Sequence, residues 1–295
     1  MAVGPYGALL DAVRGVRWLA RGPVPGGAPG AHQARTRGIA PEFAEYRPYR
    51  QGDDPRRIDW KLLARSDRAF IRLAPDHATL GTTFIVDASA SMGFAAKWTL
   101  AKRLVVALAA VAHASADPVG LVVASSSRAR RLPPRARGGV IAELARTLDE
   151  TSCDGAIDLA PLVAASASRC VVVTDLLGDA DALRMALARH RAQGGEAHLL
   201  HVVARRELEP DDEAVLATDP EDERIARPLV ADTREAYRAR FAAWRNEVAS
   251  RLRADGIAYH EVVDDAPAEQ LVRRIVMPAG VARGAAEPAG AEPRR

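Results

Sequence analysis

The chain has 295 residues, a formal net charge of +3 at pH 7, 48% hydrophobic residues and 5% aromatic residues. This length is sufficient for one large domain or two modest domains with a buried core, and so small a net charge does not by itself indicate a nucleic-acid partner. The charge is unevenly distributed, because residues 1–80 carry 13 basic and 8 acidic side chains. We therefore expect the N-terminal part to contact an acidic surface, which the rest of the protein could itself provide.

The cysteine content and the apolar pattern predict the compartment. Cys153 and Cys170 are the two cysteines and form no CxxC motif, which favours a reducing compartment. Residues 1–22 contain Asp11 and three arginines, which is not typical of a signal peptide. The longest apolar run, 104–112, is far shorter than the ~20 residues of a membrane-spanning helix. The sequence thus predicts a cytoplasmic protein without a membrane span.

Residues 1–79 contain two predicted units. Residues 5–20 have the apolar spacing of a short amphipathic helix, and the Gly/Pro-rich residues 22–31 predict a linker. Together they form the first predicted unit, 1–31. Residues 32–79 are polar and arginine-rich, and they predict a small module of short strands and loops.

From residue 80 onwards, short apolar strands alternate with helices. Strands are predicted at 82–87, 118–125, 169–175, 196–204 and 257–263. Helices are predicted at 97–116, 138–150, 180–195, 233–256 and 266–276. This alternation predicts an α/β domain over residues 80–276, with a largely parallel, Rossmann-like sheet and helices on both faces. The polar stretch 206–231 interrupts the alternation, and residues 277–295 predict a disordered tail.

One carboxylate and two hydroxyls follow the first of these strands. Asp87 ends the strand, Ser89 and Ser91 follow it, and Asp175 ends a later strand. The carboxyl ends of parallel strands form one edge of the sheet, where ligands of such folds bind. A carboxylate and hydroxyls supply the hard oxygen ligands that Mg²⁺ or Mn²⁺ prefers. The four residues therefore predict a metal site.

This cluster resembles the metal-ion-dependent adhesion site of von Willebrand factor type A domains, with its Asp-x-Ser-x-Ser motif and later aspartate. That resemblance implies a protein-binding site in which a partner's acidic side chain completes the metal shell. It also implies a threonine at the position of Ile157. Asp158, Ser152 or Thr151 could compensate, or metal binding could be weak or absent.

An alternative interpretation of the same residues is structural. Ser89 and Ser91 would cap the helix that begins near Lys97, and Asp87 would accept hydrogen bonds from the amides of the turn. The presence of Asp175 favours the metal site over this alternative.

A second motif lies upstream, within residues 42–72. It alternates aspartates with arginines around one tryptophan, and its residues are Arg47, Tyr49, Gly52, Asp53, Asp54, Arg56, Asp59, Trp60 and Arg65. Arginine pairs bidentately with carboxylates, so such a set can stabilise a module that has little core, with Trp60 as its apolar anchor. A surface that recognises a partner is the functional alternative.

The motif resembles the signature of a bacterial family, domain of unknown function 58 (DUF58), in which a von Willebrand A-like domain follows directly. The resemblance covers roughly residues 35–275. Members of this family are similar to proteins encoded beside MoxR-type AAA+ ATPases. The resemblance therefore implies a non-catalytic adaptor or co-chaperone that works with such an ATPase on an unidentified client protein.

Two other functional classes stay open at this point. A metal-dependent hydrolase or phosphoryl-transfer enzyme could use the same strand ends, although no histidine is obviously placed beside Asp87. The arginine-rich stretch 125–139 could bind nucleic acid, but it contains no aromatic residues for base stacking, so a solvated loop is the favoured interpretation. His198 and His201 are three apart on a strand, so they should face opposite sides of the sheet.

Overall fold

The structure is a computed structural model. It describes residues 4–21, 29–33, 45–49, 55, 58–66, 68–73, 77–126, 129–210, 215–218, 226–229 and 231–277. The helices are α1 Gly7–Ala12, α2 Trp60–Ser66, α3 Lys97–Ala114, α4 Val140–Asp149, α5 Ala160–Val163, α6 Ala180–Ala192, α7 Arg205–Leu208, α8 Ala231–Ala254 and α9 Ala268–Val276. The strands are β1 Pro29–Gln33, β2 Glu45–Pro48, β3 Phe70–Leu73, β4 His77–Ala78, β5 Thr82–Asp87, β6 Val119–Ala124, β7 Ala129–Arg135, β8 Arg169–Thr174, β9 Glu196–Val203, β10 Val215–Thr218, β11 Ala226–Leu229 and β12 Ala258–Val263.

A six-stranded sheet in the order β12-β9-β8-β5-β6-β7 forms the centre of the protein. Five of the strands are parallel, and β7 pairs antiparallel with β6 at one edge. Every residue of β5, β6, β8 and β9 is buried, as expected for parallel strands covered on both faces. The predicted α/β fold with a largely parallel sheet is confirmed.

Two hydrophobic cores lie on the two faces of this sheet. Alternate side chains of β5 divide between them, because successive residues of a strand point to opposite faces: Phe84 and Val86 belong to one core and Ile85 to the other. The first core is closed by α1, α3, α4 and α9. The second is closed by α5, α6 and α8. The predicted helices on both faces are thereby confirmed.

The N-terminal segment packs into the first core. The helix predicted at 5–20 is shorter in the structure, where α1 ends at Ala12 after a 3₁₀ turn at Gly4–Tyr6. Trp18, beyond the helix, is only 1% exposed, and the Arg169 guanidinium lies 4.3 Å from the centre of its ring. The ring packs against the sheet only because the chain leaves the helix after Ala12. In this respect residues 4–18 belong to the sheet domain rather than to a separate N-terminal unit.

The interpretation of 125–139 as a solvated loop is wrong for residues 129–135, which form β7. The strand carries arginines and two prolines instead of an apolar alternation, which is typical of an edge strand. It lies so close to β6 that a Cβ atom on Gly120 would come within 2.8 Å of the Leu132 carbonyl oxygen. The polar stretch after residue 205 also contains structure, namely α7 and the hairpin of β10 and β11.

The order in which the chain adds strands to the sheet reverses at β5. From β5 the chain forms β6 and β7 on one side of that strand, and then β8, β9 and β12 on the other side. The carboxyl ends of β5 and β8 are therefore neighbours at the point where ligands bind in doubly wound sheets. Asp87 ends β5, and Asp175 follows β8 directly.

Candidate functional site at the carboxyl edge of the sheet

Asp87 is almost completely buried, with 5% of its surface exposed. Its Oδ2 accepts a hydrogen bond of 2.7 Å from the hydroxyl of Thr174, the last residue of β8, and its Oδ1 accepts one of 2.9 Å from the Ser89 amide. Burial raises the pKa of Asp87 above its ordinary value, while the hydrogen bonds from Thr174 and Ser89 oppose the shift and the charge of Asp175 adds to it. Sequence reasoning missed Thr174, although its place at the end of the neighbouring strand was available as a signal.

The two serines lie in the turn that follows Asp87. Their Oγ atoms are 3.1 Å apart, and both side chains are buried. Neither serine caps α3, because the residue before that helix is Ala96 and its side chain makes no capping hydrogen bond. The capping alternative is wrong for the serines, whereas Asp87 does accept a hydrogen bond from an amide of the turn.

The loop at 151–159 packs against this turn. The Asp154 amide donates to the Ala88 carbonyl, the Gly155 carbonyl accepts from the Ala90 amide, and Ile157 lines a cavity of about 20 Å³ beside Asp87 and Thr174. Ile157 therefore lies beside Asp87, where the resemblance implies a threonine.

Asp158, Thr151 and Ser152 are the three residues that could compensate for the missing threonine. Two of them hydrogen-bond elsewhere, and the third is exposed. Asp158 accepts a hydrogen bond from the Ala160 amide at the start of α5, and Thr151 donates to the Thr147 carbonyl of α4. Ser152 is exposed.

Asp175 forms a buried ion pair. Its Oδ2 accepts a hydrogen bond of 2.7 Å from Lys97 Nζ, and its Oδ1 accepts one of 3.3 Å from the Leu177 amide. Lys97, the first residue of α3, is fully buried and also donates to Glu207 Oε1 at 2.9 Å. Burial lowers the pKa of Lys97, but the charges of Asp175 and Glu207 outweigh it, so the pKa lies above its ordinary value.

Glu207 is held in place for this contact. Its second oxygen, Oε2, accepts a hydrogen bond of 2.7 Å from the Ala204 amide at the start of α7. Sequence reasoning missed both Lys97 and Glu207, because charged residues at helix starts are usually solvated and nothing in the sequence shows that these two meet.

A histidine and a cysteine lie near the carboxylates. His201 of β9 is 1% exposed, and its Nδ1 lies 2.7 Å from the Tyr259 hydroxyl. Burial lowers the pKa of His201 to about 4, so the ring is neutral at pH 7. Burial and the charges of Asp87, Asp154 and Asp175 raise the pKa of Cys153 to about 12, so its side chain is a thiol.

Two large apolar side chains are exposed at this edge of the sheet. Phe94 follows the serine turn and is 42% exposed, and its ring centre lies 5.7 Å from Lys97 Nζ. Leu177, two residues after Asp175, is 50% exposed. Each loop also holds a non-glycine residue in the left-handed region, Ala95 at φ +51° and Leu176 at φ +60°. Such conformations concentrate where surrounding structure imposes them at functional sites.

The donor set fits a divalent cation poorly. The 3.1 Å between the serine oxygens is close to the ~2.9 Å between adjacent ligands of an octahedral Mg²⁺ with bonds of about 2.0–2.1 Å. However, Oδ2 of Asp175 is already paired with the Lys97 ammonium group, and Ile157 supplies no oxygen. Among the described residues, no group of three or more His, Cys, Asp or Glu side chains is arranged to hold a metal ion. A divalent metal here stays a prediction.

Comparison with known proteins identifies the family. The family described as "Protein of unknown function DUF58" matches residues 45–250. The chain belongs to the DUF58 family. Uncharacterized proteins of Mycobacterium tuberculosis and Mycobacterium bovis are 27% identical over 247 residues, covering 77% of this chain and 76% of each relative.

Solved structures with similarity to this DUF58 protein include two from Bacteroides species. The BatB protein of Bacteroides thetaiotaomicron is 16% identical, with a TM-score of 0.44, over 67% of this chain and 97% of that one. An aerotolerance-related membrane protein of Bacteroides fragilis is 17% identical, with a TM-score of 0.43, over 67% and 98%. The SpRpn10 VWA domain is 10% identical, with a TM-score of 0.40, over 66% and 94%.

The DUF58 signature motif is described only in part. Gly52, Asp53, Asp54 and Arg56 lie outside the described residues, and Arg47 lies in β2, which pairs with β3. The Tyr49 amide donates to the Ala69 carbonyl, and Arg65 lies in the last turn of α2.

Asp59 and Trp60 begin the helix of the motif. Oδ1 of Asp59 accepts hydrogen bonds of 3.0 Å from the Lys61 and Leu62 amides, so its role is to cap α2. Trp60 is 62% exposed. The prediction that Trp60 is the apolar anchor of this module is therefore wrong.

Two further features of this DUF58 protein bear on its possible partners. Arg130 and Arg137, within the arginine-rich stretch 125–139, form ion pairs with Glu150 and Glu143 of the same chain. Across the residues that the structure covers, no helix is both long and apolar enough to span a bilayer.

Proposed function

We propose that this DUF58 protein is a non-catalytic adaptor that binds a partner protein at the carboxyl edge of its sheet. The observation that carries the proposal is the exposure of Phe94 and Leu177 directly beside a buried polar cluster. Large apolar side chains that stay exposed around a rigid site are typical of the central contacts of a protein interface. The two flanking left-handed residues, Ala95 and Leu176, support a loop geometry maintained for binding.

The chemistry of the cluster favours binding over catalysis. The cavity of about 20 Å³ beside Asp87 has room for about one water molecule. His201 is buried and bonded to Tyr259, and the Cys153 thiol has a raised pKa, so neither is placed as a base or nucleophile for a substrate. A metal-dependent hydrolase or phosphoryl-transfer enzyme is the alternative. Phosphoester turnover that Asp87→Asn abolishes would support that alternative.

The partner implied by the family resemblance is a MoxR-type AAA+ ATPase, with which the protein would mature or remodel an unidentified client. The resemblance also implies Mg²⁺ or Mn²⁺ at Asp87, Ser89 and Ser91, with an acidic side chain of the partner beside it. Because the described donor set is incomplete, the partner and the metal require separate tests.

The experiment is affinity capture of partners from native lysate with the tagged full chain, in Mg²⁺ and in EDTA, with identification by mass spectrometry. We expect retention of an AAA+ ATPase, reduced at least about tenfold in the Phe94→Asp/Leu177→Asp variant. Leu19→Asp is the matched control, because Leu19 is 54% exposed and its neighbour Trp18 contacts Arg169 at the opposite, amino end of β8. Equal retention by the wild type and the double variant would contradict the proposed surface.

A further inference from the structure

Lys97 is a fully buried ammonium at the strand-end site. Lysine is almost never fully buried unless it is paired, and here two carboxylates, Asp175 and Glu207, accept its hydrogen bonds. Its position is also electrostatically unfavourable for a cation, because it begins an 18-residue helix whose N-terminus carries partial positive charge. Stability alone gives no reason for this arrangement, since buried ion pairs seldom stabilise more than apolar residues of similar size.

One of the two carboxylates that bind Lys97 is also one expected beside the metal ion in the related adhesion sites. Asp175 is the carboxylate that the resemblance assigns to the metal, and its Oδ2 lies 2.7 Å from Lys97 Nζ. Asp87 is close enough for the charge of Asp175 to affect it. With three carboxylates and one ammonium, the cluster already contains a fixed cation, and that positive charge would repel an incoming divalent ion.

We propose that the ammonium group of Lys97 is the built-in cation of this site, and that it takes the place of the divalent metal ion of the related adhesion sites. Partner binding at Phe94 and Leu177 is then independent of Mg²⁺. The independence of partner binding from Mg²⁺ rests on the proposed function, whereas the role of Lys97 as the cation is a property of the isolated protein.

The test is Mn²⁺ binding to the purified full chain, measured as loss of the free Mn²⁺ signal in electron paramagnetic resonance. Asp87→Ala is the control for Mn²⁺ bound elsewhere on the surface. We expect the wild type and Asp87→Ala to bind equally, and Lys97→Arg, which keeps the charge, to behave like the wild type. In Lys97→Met, Asp175 and Glu207 lose their cation, so Mn²⁺ should bind at least about tenfold tighter, and adding Asp87→Ala should remove the gain.

Two results would overturn the inference. The first is Mn²⁺ binding by the wild type that Asp87→Ala removes, and this comparison stands even if Lys97→Met does not fold. The second is a folded Lys97→Met variant that gains no Mn²⁺ binding. Neither result involves a partner, so failure of this inference is distinct from failure of the proposed function, which would appear as unchanged capture by the Phe94→Asp/Leu177→Asp variant.

Discussion

Lys97 and Asp175 are 78 positions apart in the sequence, yet Nζ of the lysine lies 2.7 Å from Oδ2 of the aspartate at the carboxyl edge of the sheet. The contact joins the start of α3 to the end of β8, and Glu207 extends it to α7. Three elements that surround the candidate site are therefore held by one buried ammonium group.

Removal of this ammonium group should strongly destabilise the protein. Lys97→Met leaves the buried Asp175 carboxylate unpaired, so we expect the free energy of unfolding to fall by about 3–5 kcal/mol. Urea denaturation measures this change. Lys102→Met is the control, because Lys102 pairs with Asp149 in a partly exposed bridge and its loss should cost about 0–1 kcal/mol. If both variants lost the same free energy of unfolding, the buried pair would contribute no more to stability than the partly exposed one.

Acid should destabilise the protein through His201. Its folded pKa of about 4 lies below its unfolded value, so the unfolded state binds the proton first and stability is lost as the pH falls from 6.5 towards 4. At pH 5 the loss from this residue should be about 2 kcal/mol relative to pH 7.

Denaturation of the wild type and of His201→Gln at both pH values tests this contribution. We expect the decrease between pH 7 and pH 5 to be smaller in the variant, whatever its stability at pH 7. An identical decrease in the two proteins would assign the acid sensitivity to other groups.

Gly120 should be required for the pairing of β7 with β6. A Cβ atom there would lie 2.8 Å from the backbone of Leu132 and Pro134, so Gly120→Ala should cost about 1–3 kcal/mol of unfolding free energy. Gly138→Ala adds a methyl group to open space and should change stability by less than about 0.5 kcal/mol. Thermal denaturation of both variants measures the difference, and a neutral Gly120→Ala would contradict the close approach of β7.

The packing of Trp18 into the first core should make the N-terminal segment unfold together with the sheet. Trp18→Ala removes a side chain that packs on Phe84 and Arg169, and we expect a loss of about 3–5 kcal/mol. Leu19→Ala, at an exposed neighbour, should be almost neutral. If Trp18→Ala changed stability as little as Leu19→Ala does, the N-terminal segment would not be part of the core.

The central strand β5 could be predicted from the sequence, whereas the edge strand β7 and the end of the N-terminal helix could not. β5 lies at the predicted residues 82–87, because the apolar run Phe84–Val86 follows two β-branched threonines and ends at Asp87. β7 was missed, because an edge strand rich in arginine and proline lacks that pattern. The helix predicted at 5–20 was too long, because periodicity cannot show that Trp18 leaves the helix to reach the sheet.

The sequence by itself determined the α/β alternation and the placement of Asp87, Ser89, Ser91 and Asp175 at the carboxyl edge of a parallel sheet. Both follow from local periodicity and from the rule that the carboxyl ends of parallel strands share an edge. Only the tertiary structure decided which groups meet there, namely Thr174 with Asp87 and Lys97 with Asp175. The physical reason is that a lysine at a helix start is ordinarily solvated, and its burial depends on carboxylates supplied from distant parts of the chain.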